Sequence, residues 1–143
     1  MQIRELMTKE VVRIHPEETV SVAARAFQRY NIGVLPVCGG DGKLCGVLTD
    51  RDLVIRCLAA GRNPLNTPVR DIMTRQPVTA PPDMDAGRAA AMMGRAQIRR
   101  LPVLENGRLC GMVSLGDLAA SPETGYDAGD ALAEISANLR DNG

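Results

Sequence analysis

Arg4-Glu5-Leu6-Met7-Thr8 returns 66 positions later as Arg70-Asp71-Ile72-Met73-Thr74, and the correspondence continues far beyond that. Val20 matches Ala86, Ala23 matches Ala89, Ala24 matches Ala90 and Phe27 matches Met93. Ile32 falls on Ile98, and Leu35-Pro36-Val37 falls on Leu101-Pro102-Val103. One residue then drops from the turn, where Gly39-Gly40-Asp41-Gly42 faces Glu105-Asn106-Gly107, and the spacing becomes 65. Leu44-Cys45-Gly46 sits over Leu109-Cys110-Gly111. Internal repetition constrains a fold before any local propensity does. Two copies with matching apolar positions predict a pseudo-symmetric pair rather than a solenoid.

Each copy reads as strand, helix, strand, strand, helix. Ile3 to Met7 is a helical lead-in. Val11 to Ile14 is a strand of β-branched residues broken by His15-Pro16. Thr19 opens a helix to Tyr30, with Val20, Ala23, Ala24 and Phe27 on one face. Val34 to Cys38 and Leu44 to Leu48 form a hairpin around the glycine-rich turn. Asp50 to Ala60 is a second helix, stopped by Gly61. The second copy repeats the order: strand Val78 to Ala80, helix Asp85 to Ala96, strands Arg100 to Leu104 and Leu109 to Val113, helix Leu115 to Ala120. The expected organisation is a first motif over 1–61, a linker over 62–68, a second motif over 69–120 and a tail over 121–143. In the tail, Asp127 to Leu139 forms a helix with Ala128, Ala131, Leu132, Ile135 and Leu139 on one side. Asp127 and Asp130 suit its N-terminus and Arg140 its C-terminus. It either caps the domain edge or makes a dimer contact. The fold class is α/β (α+β), two β-α-β-β-α motifs packed sheet to sheet as one pair, since neither alone has much apolar area.

Composition narrows the function. The chain has 17 basic and 17 acidic residues and no net charge, so it lacks the basic field that draws in nucleic acid. Phe27, Tyr30 and Tyr126 are too few for a base-stacking platform. No apolar run approaches the roughly 20 residues that cross a bilayer, and the start of the chain does not resemble a signal peptide. Cys38, Cys45, Cys57 and Cys110 form no Cys-x-x-Cys pair, and His15 is the only histidine. These read as reduced, mostly buried thiols of a cytoplasmic protein without a metal site. Cys38, at the rim of its hairpin, is the thiol expected to oxidise first. No nucleophile has a base partner nearby in sequence and no phosphate-loop glycine pattern appears, so the chain reads as non-catalytic.

The chemistry gathers at two equivalent corners. Thr49-x-x-Asp52 and Ser114-x-x-Asp117 each follow an apolar strand and open a helix. Such a pattern is a capping box, hydroxyl and acid each accepting a backbone N–H. It is also a fitting place for a phosphorylated sugar, with free N–H groups for phosphate and a carboxylate for ribose hydroxyls. Both readings stand on these residues alone. Arg99 and Arg100 enter the middle strand of the second copy, where the first has Gly33 and Val34. Strand alternation predicts that at most one of the two arginines faces a given cleft. A solvated pair, or salt bridges to Asp83 or Glu105, would account for them equally. Arg51 is the cation available to the first corner, or it faces water.

With Leu6-Met7-Thr8 and Ile72-Met73-Thr74, the two Leu-Pro-Val strands and the two Gly-hydrophobic-hydrophobic-Thr/Ser turns each followed by an Asp, residues 1–120 resemble a tandem pair of cystathionine-β-synthase (CBS) domains. The runs Ile32-Gly33-Val34-Leu35-Pro36-Val37-Cys38 and Leu48-Thr49-Asp50-Arg51-Asp52-Leu53-Val54-Ile55 are similar to small stand-alone bacterial members, including the hypoxic-response type. The resemblance implies a regulatory module that binds an adenosine-containing ligand such as AMP, ATP or S-adenosylmethionine in clefts between the repeats. It implies phosphate contacts from Thr49, Ser114 and the basic residues Arg99 and Arg100, ribose contacts from Asp52 and Asp117, and an adenine slot of Ile32, Val34, Pro36, Ile98 and Pro102. It further implies a homodimer through helices, to which Phe27, Met92 and Met93 would bring apolar surface, and a regulated partner protein. The alternative is a ligand-free interaction or scaffold module whose corner motifs are caps.

Overall fold

The computed structural model describes the backbone of residues 1–142 and the side chains of residues 1–137. Its elements are α1 (Val20–Tyr30), β1 (Val34–Cys38), β2 (Leu44–Thr49), α2 (Asp50–Asp52), β3 (Thr74–Arg75), α3 (Ala86–Ala96), β4 (Arg100–Glu105), β5 (Arg108–Ser114), α4 (Leu115–Ala119) and α5 (Gly125–Asn142). Two compact units result. One comprises Val12–Pro77 with Gly107–Leu109, and the other Met1–Val11, Val78–Asn106 and the chain from Cys110 onward.

The first-copy unit is built on the hairpin of β1 and β2, which pair antiparallel from Val34↔Thr49 to Val37↔Gly46, with an irregularity at Val37/Cys38. α1 lies on it because its apolar residues recur every third or fourth position. Val20, Ala23 and Phe27 are buried, whereas Ala24, expected on that face, is exposed. Thr19 caps the helix, accepting the Val22 N–H at 3.3 Å. Asn31 ends it at φ 51°, a left-handed conformation that Asn tolerates. After α2 the chain continues as a π-helix over Leu53–Leu58. The core holds Leu35, Val37, Leu48, Val69 and Ile72. Each fully buried aliphatic side chain of this kind contributes roughly 1.5–3 kcal/mol.

The second-copy unit repeats the plan. β4 and β5 form a two-stranded sheet, and α3 buries Ala86, Ala89, Ala90, Met93 and Gly94. Asp85 caps α3 through the Arg88 N–H (3.1 Å), and Gln97 ends it at φ 59°, matching Asn31. α5, outside the repeat, packs on α3 and α4 with Ala128, Ala131 and Ile135 buried and Leu132 exposed. Thr124 secures its start, donating its hydroxyl to the Leu118 carbonyl at 2.6 Å. Leu139 and Arg140, expected on its apolar side and at its C-terminus, lie outside the described side chains.

Three expectations change. The strands over Val11–Ile14 and Val78–Ala80 shrink to single parallel bridges, Ile14↔Val37 and Ala80↔Val103. Pro16, Pro77 and Pro81 flank these bridges and supply no backbone donor to extend a ladder. An unexpected strand, β3, pairs antiparallel with β2 through Gly46↔Arg75 and Val47↔Thr74. Phe27 and Met93 are core residues, so they bring no apolar surface to a dimer, and Met92 is half-buried.

The lead-in before each copy packs within the other copy's unit. Thr8 and Met112 exchange both backbone hydrogen bonds at 2.9 Å, and Ile3, fully buried, donates its N–H to the Met84 carbonyl. In the other unit the Val69 N–H meets the Glu18 carbonyl at 2.7 Å, and β3 lies along β2. This explains a shared glycine. A Cβ on Gly46 would stand 2.5 Å from the Thr74 carbonyl oxygen, and one on Gly111 would stand 2.5 Å from Met7 Sδ and 3.0 Å from the Thr8 oxygen.

The cysteines are all free, with Cys38 and Cys57 buried, Cys110 half-buried and Cys45 exposed. Burial pushes the Cys38 thiol pKa up, outweighing the nearby Arg13, and burial also raises that of Cys110. Cys38 is therefore not the thiol poised to oxidise; its side chain turns into the fold and stays protonated. Iodoacetamide in native buffer should modify Cys45 first. Cys38 labelling should become measurable only well above the ordinary thiol value of 9.0, where the thiolate forms. Peptide mapping that finds Cys38 modified before Cys45 at neutral pH would contradict this burial.

Candidate functional site

At both corners the hydroxyl and the acid form complete capping boxes. The Thr49 N–H donates to Asp52 Oδ2 at 2.9 Å, and the Asp52 N–H donates to Thr49 Oγ1 at 3.1 Å. The Ser114 N–H donates to Asp117 Oδ2 at 2.8 Å, and the Asp117 N–H donates to Ser114 Oγ at 3.0 Å. The backbones match as well. The Asp50 N–H reaches the Gly33 carbonyl at 3.3 Å, and the Leu115 N–H reaches the Arg99 carbonyl at 2.9 Å. That second bond sets Arg99 beside Ser114.

The side chains break the symmetry. Asp52 is 9% exposed, and its other oxygen faces Arg56 Nε at 3.6 Å. Arg56 also donates to the carbonyls of Ile72 (3.3 Å) and Met73 (3.2 Å), so Asp52 is tied into the anchoring of the segment before β3. Ser121 holds the Arg56 position in the second copy, and the second oxygen of Asp117 has no partner among the described residues. The first corner carries Asp50 with Asp52, and the space beside Gly33 is taken by Asp50 Oδ2, 3.8 Å from where a Cβ would stand. Arg51 is exposed there and its N–H donates to Asp50 Oδ1. The second corner has neutral Leu115 in place of Asp50 and carries two arginines.

Arg99, Arg100 and Ser114 line one depression of about 430 Å³ in the second-copy unit. Both arginines face it, contrary to the alternation argument, because β4 begins only at Arg100 and Arg99 sits in the bend before it. Neither arginine makes an ion pair among the described residues, so the salt bridges to Asp83 or Glu105 do not form. Asp117 is not among its lining residues. Of the residues assigned to the adenine slot, Ile32, Val34 and Ile98 are half-buried, whereas Pro36 and Pro102 are buried. Two features escaped the sequence reading. Arg56 was visible as the i+4 partner of Asp52, with no counterpart in the other copy. The wall that Gly125, Gly129 and Leu132 of α5 give the depression had no local signal.

The CBS domain family matches residues 3–58 and 69–122. The CBS domain-containing protein YhcV of Bacillus subtilis is 39% identical over 134 residues, 94% of each chain. Hypoxic response protein 1 of Mycobacterium tuberculosis is 38% identical over 120 residues, 81% of each chain. The crystal structure of Hypoxic Response Protein I with two coordinated zinc ions superposes with a TM-score of 0.79 at 33% identity, covering 85% of this chain and all (100%) of that one. Among the described residues here, no group of three or more His, Cys, Asp or Glu side chains is placed to hold a metal ion. The CBS domain pair of protein MJ0100, solved with 5-methylthioadenosine and S-adenosyl-L-methionine, superposes with a TM-score of 0.74 at 27% identity, covering 83% of this chain and 97% of that one. The repeat, the paired corners and these likenesses agree, and the chain belongs to the CBS-domain family as a tandem pair.

Proposed function

We propose that the chain is a non-catalytic regulatory module of the cytoplasm that binds an adenosine-containing ligand such as AMP, ATP or S-adenosylmethionine and signals to a partner protein. The second copy is the ligand-binding half. The observation that carries this reading is the corner where Arg99, Arg100 and Ser114 converge while one oxygen of Asp117 has no partner among the described residues. Arginine is permanently charged and offers a fork of donors suited to phosphate. The spare carboxylate oxygen is the acceptor a ribose hydroxyl needs. The first corner, with Asp50 in the space beside Gly33 and Asp52 engaged by Arg56, offers an anion less than the second, and Thr49 and Arg51 serve the cap and the surface. Ile98 and Pro102 belong to the adenine slot of the second copy, and Ile32, Val34 and Pro36 to the weaker first one. The complex of the MJ0100 pair supports the adenosine class.

The test is a thermal-shift panel of AMP, ADP, ATP, NADH and S-adenosylmethionine. A ligand present at 100 times its dissociation constant should add about 2.7 kcal/mol to stability. The Arg99→Ala/Arg100→Ala variant should lose the shift for phosphorylated ligands. A flat response to every compound at millimolar concentration would leave the scaffold reading, with both motifs acting only as caps.

The module is also proposed to be a homodimer, through a surface other than Phe27 and Met93. Val54, Ile55 and Leu58 stand 52%, 51% and 74% exposed on the π-helical turn, and Leu65 is 68% exposed. Three large aliphatic side chains exposed on one turn, Val54, Ile55 and Leu58, supply apolar area for an association surface. Sedimentation at micromolar concentration should show twice the 15.3 kDa chain mass, and Ile55→Asp/Leu58→Asp should return it to a single chain. A wild-type chain that sediments as a monomer would remove the proposal.

A further inference from the structure

We infer that α5 is part of the ligand site: the phosphate-bearing end of a small molecule lies in the depression between Arg99, Arg100 and the Gly125–Leu132 stretch of α5. This rests on the reading of the second copy as the ligand-binding half and adds an element from outside the family match, which ends at residue 122.

The depression has two unlike walls. Arg99, Arg100 and Ser114 make one side, and no acidic residue among the described ones lines it. Ala128, Gly129 and Leu132 make the other, with Leu115 and Ala119 of α4 beneath. Its volume of about 430 Å³ lies in the range of small-molecule sites. Two arginines that form no ion pair among the described residues, beside an uncharged, partly apolar wall, suit an anionic group attached to a less polar body. α5 is shaped for this role. Gly129 leaves open space: beyond its own stretch of helix, no described atom lies within 4 Å of where a Cβ would stand. Leu132, 44% exposed, is the large apolar side chain of α5 on this wall. Because α5 also packs on α3 and α4, a ligand held here contacts both the repeat and the tail. Occupancy and the docking of α5 are then linked in free energy, in both directions. α5 becomes the element that reports the ligand to a partner.

Isothermal titration of the full chain with AMP and with pyrophosphate tests this. Gly129→Leu fills the depression and removes a glycine from a helix interior, so its melting temperature should hold or rise while binding of both probes weakens at least tenfold. Leu132→Glu, at a half-exposed position, places a carboxylate where the anion would sit and should weaken binding similarly. Ala133→Leu, exposed and outside the depression, should bind as wild type does. If Gly129→Leu and Leu132→Glu both bind AMP at wild-type strength, α5 is no part of the site, and the adenosine reading survives without it. If wild type binds pyrophosphate but not AMP, and Gly129→Leu abolishes this, the α5 site stands and the adenosine reading fails. If wild type binds neither probe, both are overturned.

Discussion

Gly46→Ala is expected to destabilise the chain more than Gly111→Ala, although the two glycines are equivalent in the repeat. A methyl group at Gly46 would meet the backbone oxygen of Thr74 at 2.5 Å and Met73 Sδ at 2.9 Å. The carbonyl belongs to β3, held to β2 by pairing and to Arg56 through the neighbouring Met73 carbonyl, so it has little room to retreat. At Gly111 the nearest atom is Met7 Sδ, near the free end of a flexible side chain, and the backbone oxygen of Thr8 is 3.0 Å away. Overpacking of this kind costs typically 1–3 kcal/mol, and Gly46→Ala should reach the upper part of that range. Against a total stability of about 5–15 kcal/mol the loss is large. Urea unfolding reads it as a lower midpoint at unchanged slope. Equal midpoints for the two variants would mean that β3 yields as readily as a methionine side chain.

Asp117→Glu is expected to leave stability almost unchanged while reducing nucleotide affinity by roughly 1–3 kcal/mol, the consequence of losing or bending two hydrogen bonds. A capping box accepts Glu as readily as Asp, since the acid has only to reach the Ser114 N–H. A ribose clamp is stricter, because the extra methylene moves the carboxylate into the space of the sugar. Asp52→Glu should show the opposite pattern: little change in binding, and a measurable loss of stability because Asp52 is buried and shares Arg56 with the carbonyls of Ile72 and Met73. Titration calorimetry beside thermal denaturation separates the two. Wild-type affinity in Asp117→Glu would leave the capping box as the whole account of the motif.

The sequence made the repeating parts legible. α1, α3 and the β1–β2 hairpin fall within a residue or so of the positions that periodicity assigns, because each buries one face and the pattern records that face. The paired corners were visible for a similar reason: a hydroxyl and an acid three residues apart are local chemistry. What escaped was set by distant partners. β3 is two residues with no alternation of its own, and it exists because Gly46 leaves room for a neighbour. The π-helical turn over Leu53–Leu58 replaces an ordinary helix with no breaker residue to announce it. Arg99 and Arg100 stood out in the sequence as a pair, but their shared orientation depended on where β4 begins. The docking face of α5 was legible in Ala128, Ala131 and Ile135, but the exposure of Leu132, on the same predicted side, depends on where α3 and α4 end beneath it.

The exchanged lead-ins bear on how this chain is made. Thr8 closes its backbone pair with Met112, and the Ile3 N–H is taken by the Met84 carbonyl. During synthesis at about 5–20 residues per second, these first residues leave the ribosome many seconds before their partners do. The first hairpin likewise stays short of its third strand until Thr74 and Arg75 have emerged. Neither half can therefore finish on its own during translation, and contacts so far apart along the chain slow folding because loop closure comes before the reward. The nascent first half, with the β2 edge unpaired and Ile3 uncovered, is the form most open to capture by a chaperone or by the same segment of a neighbouring chain.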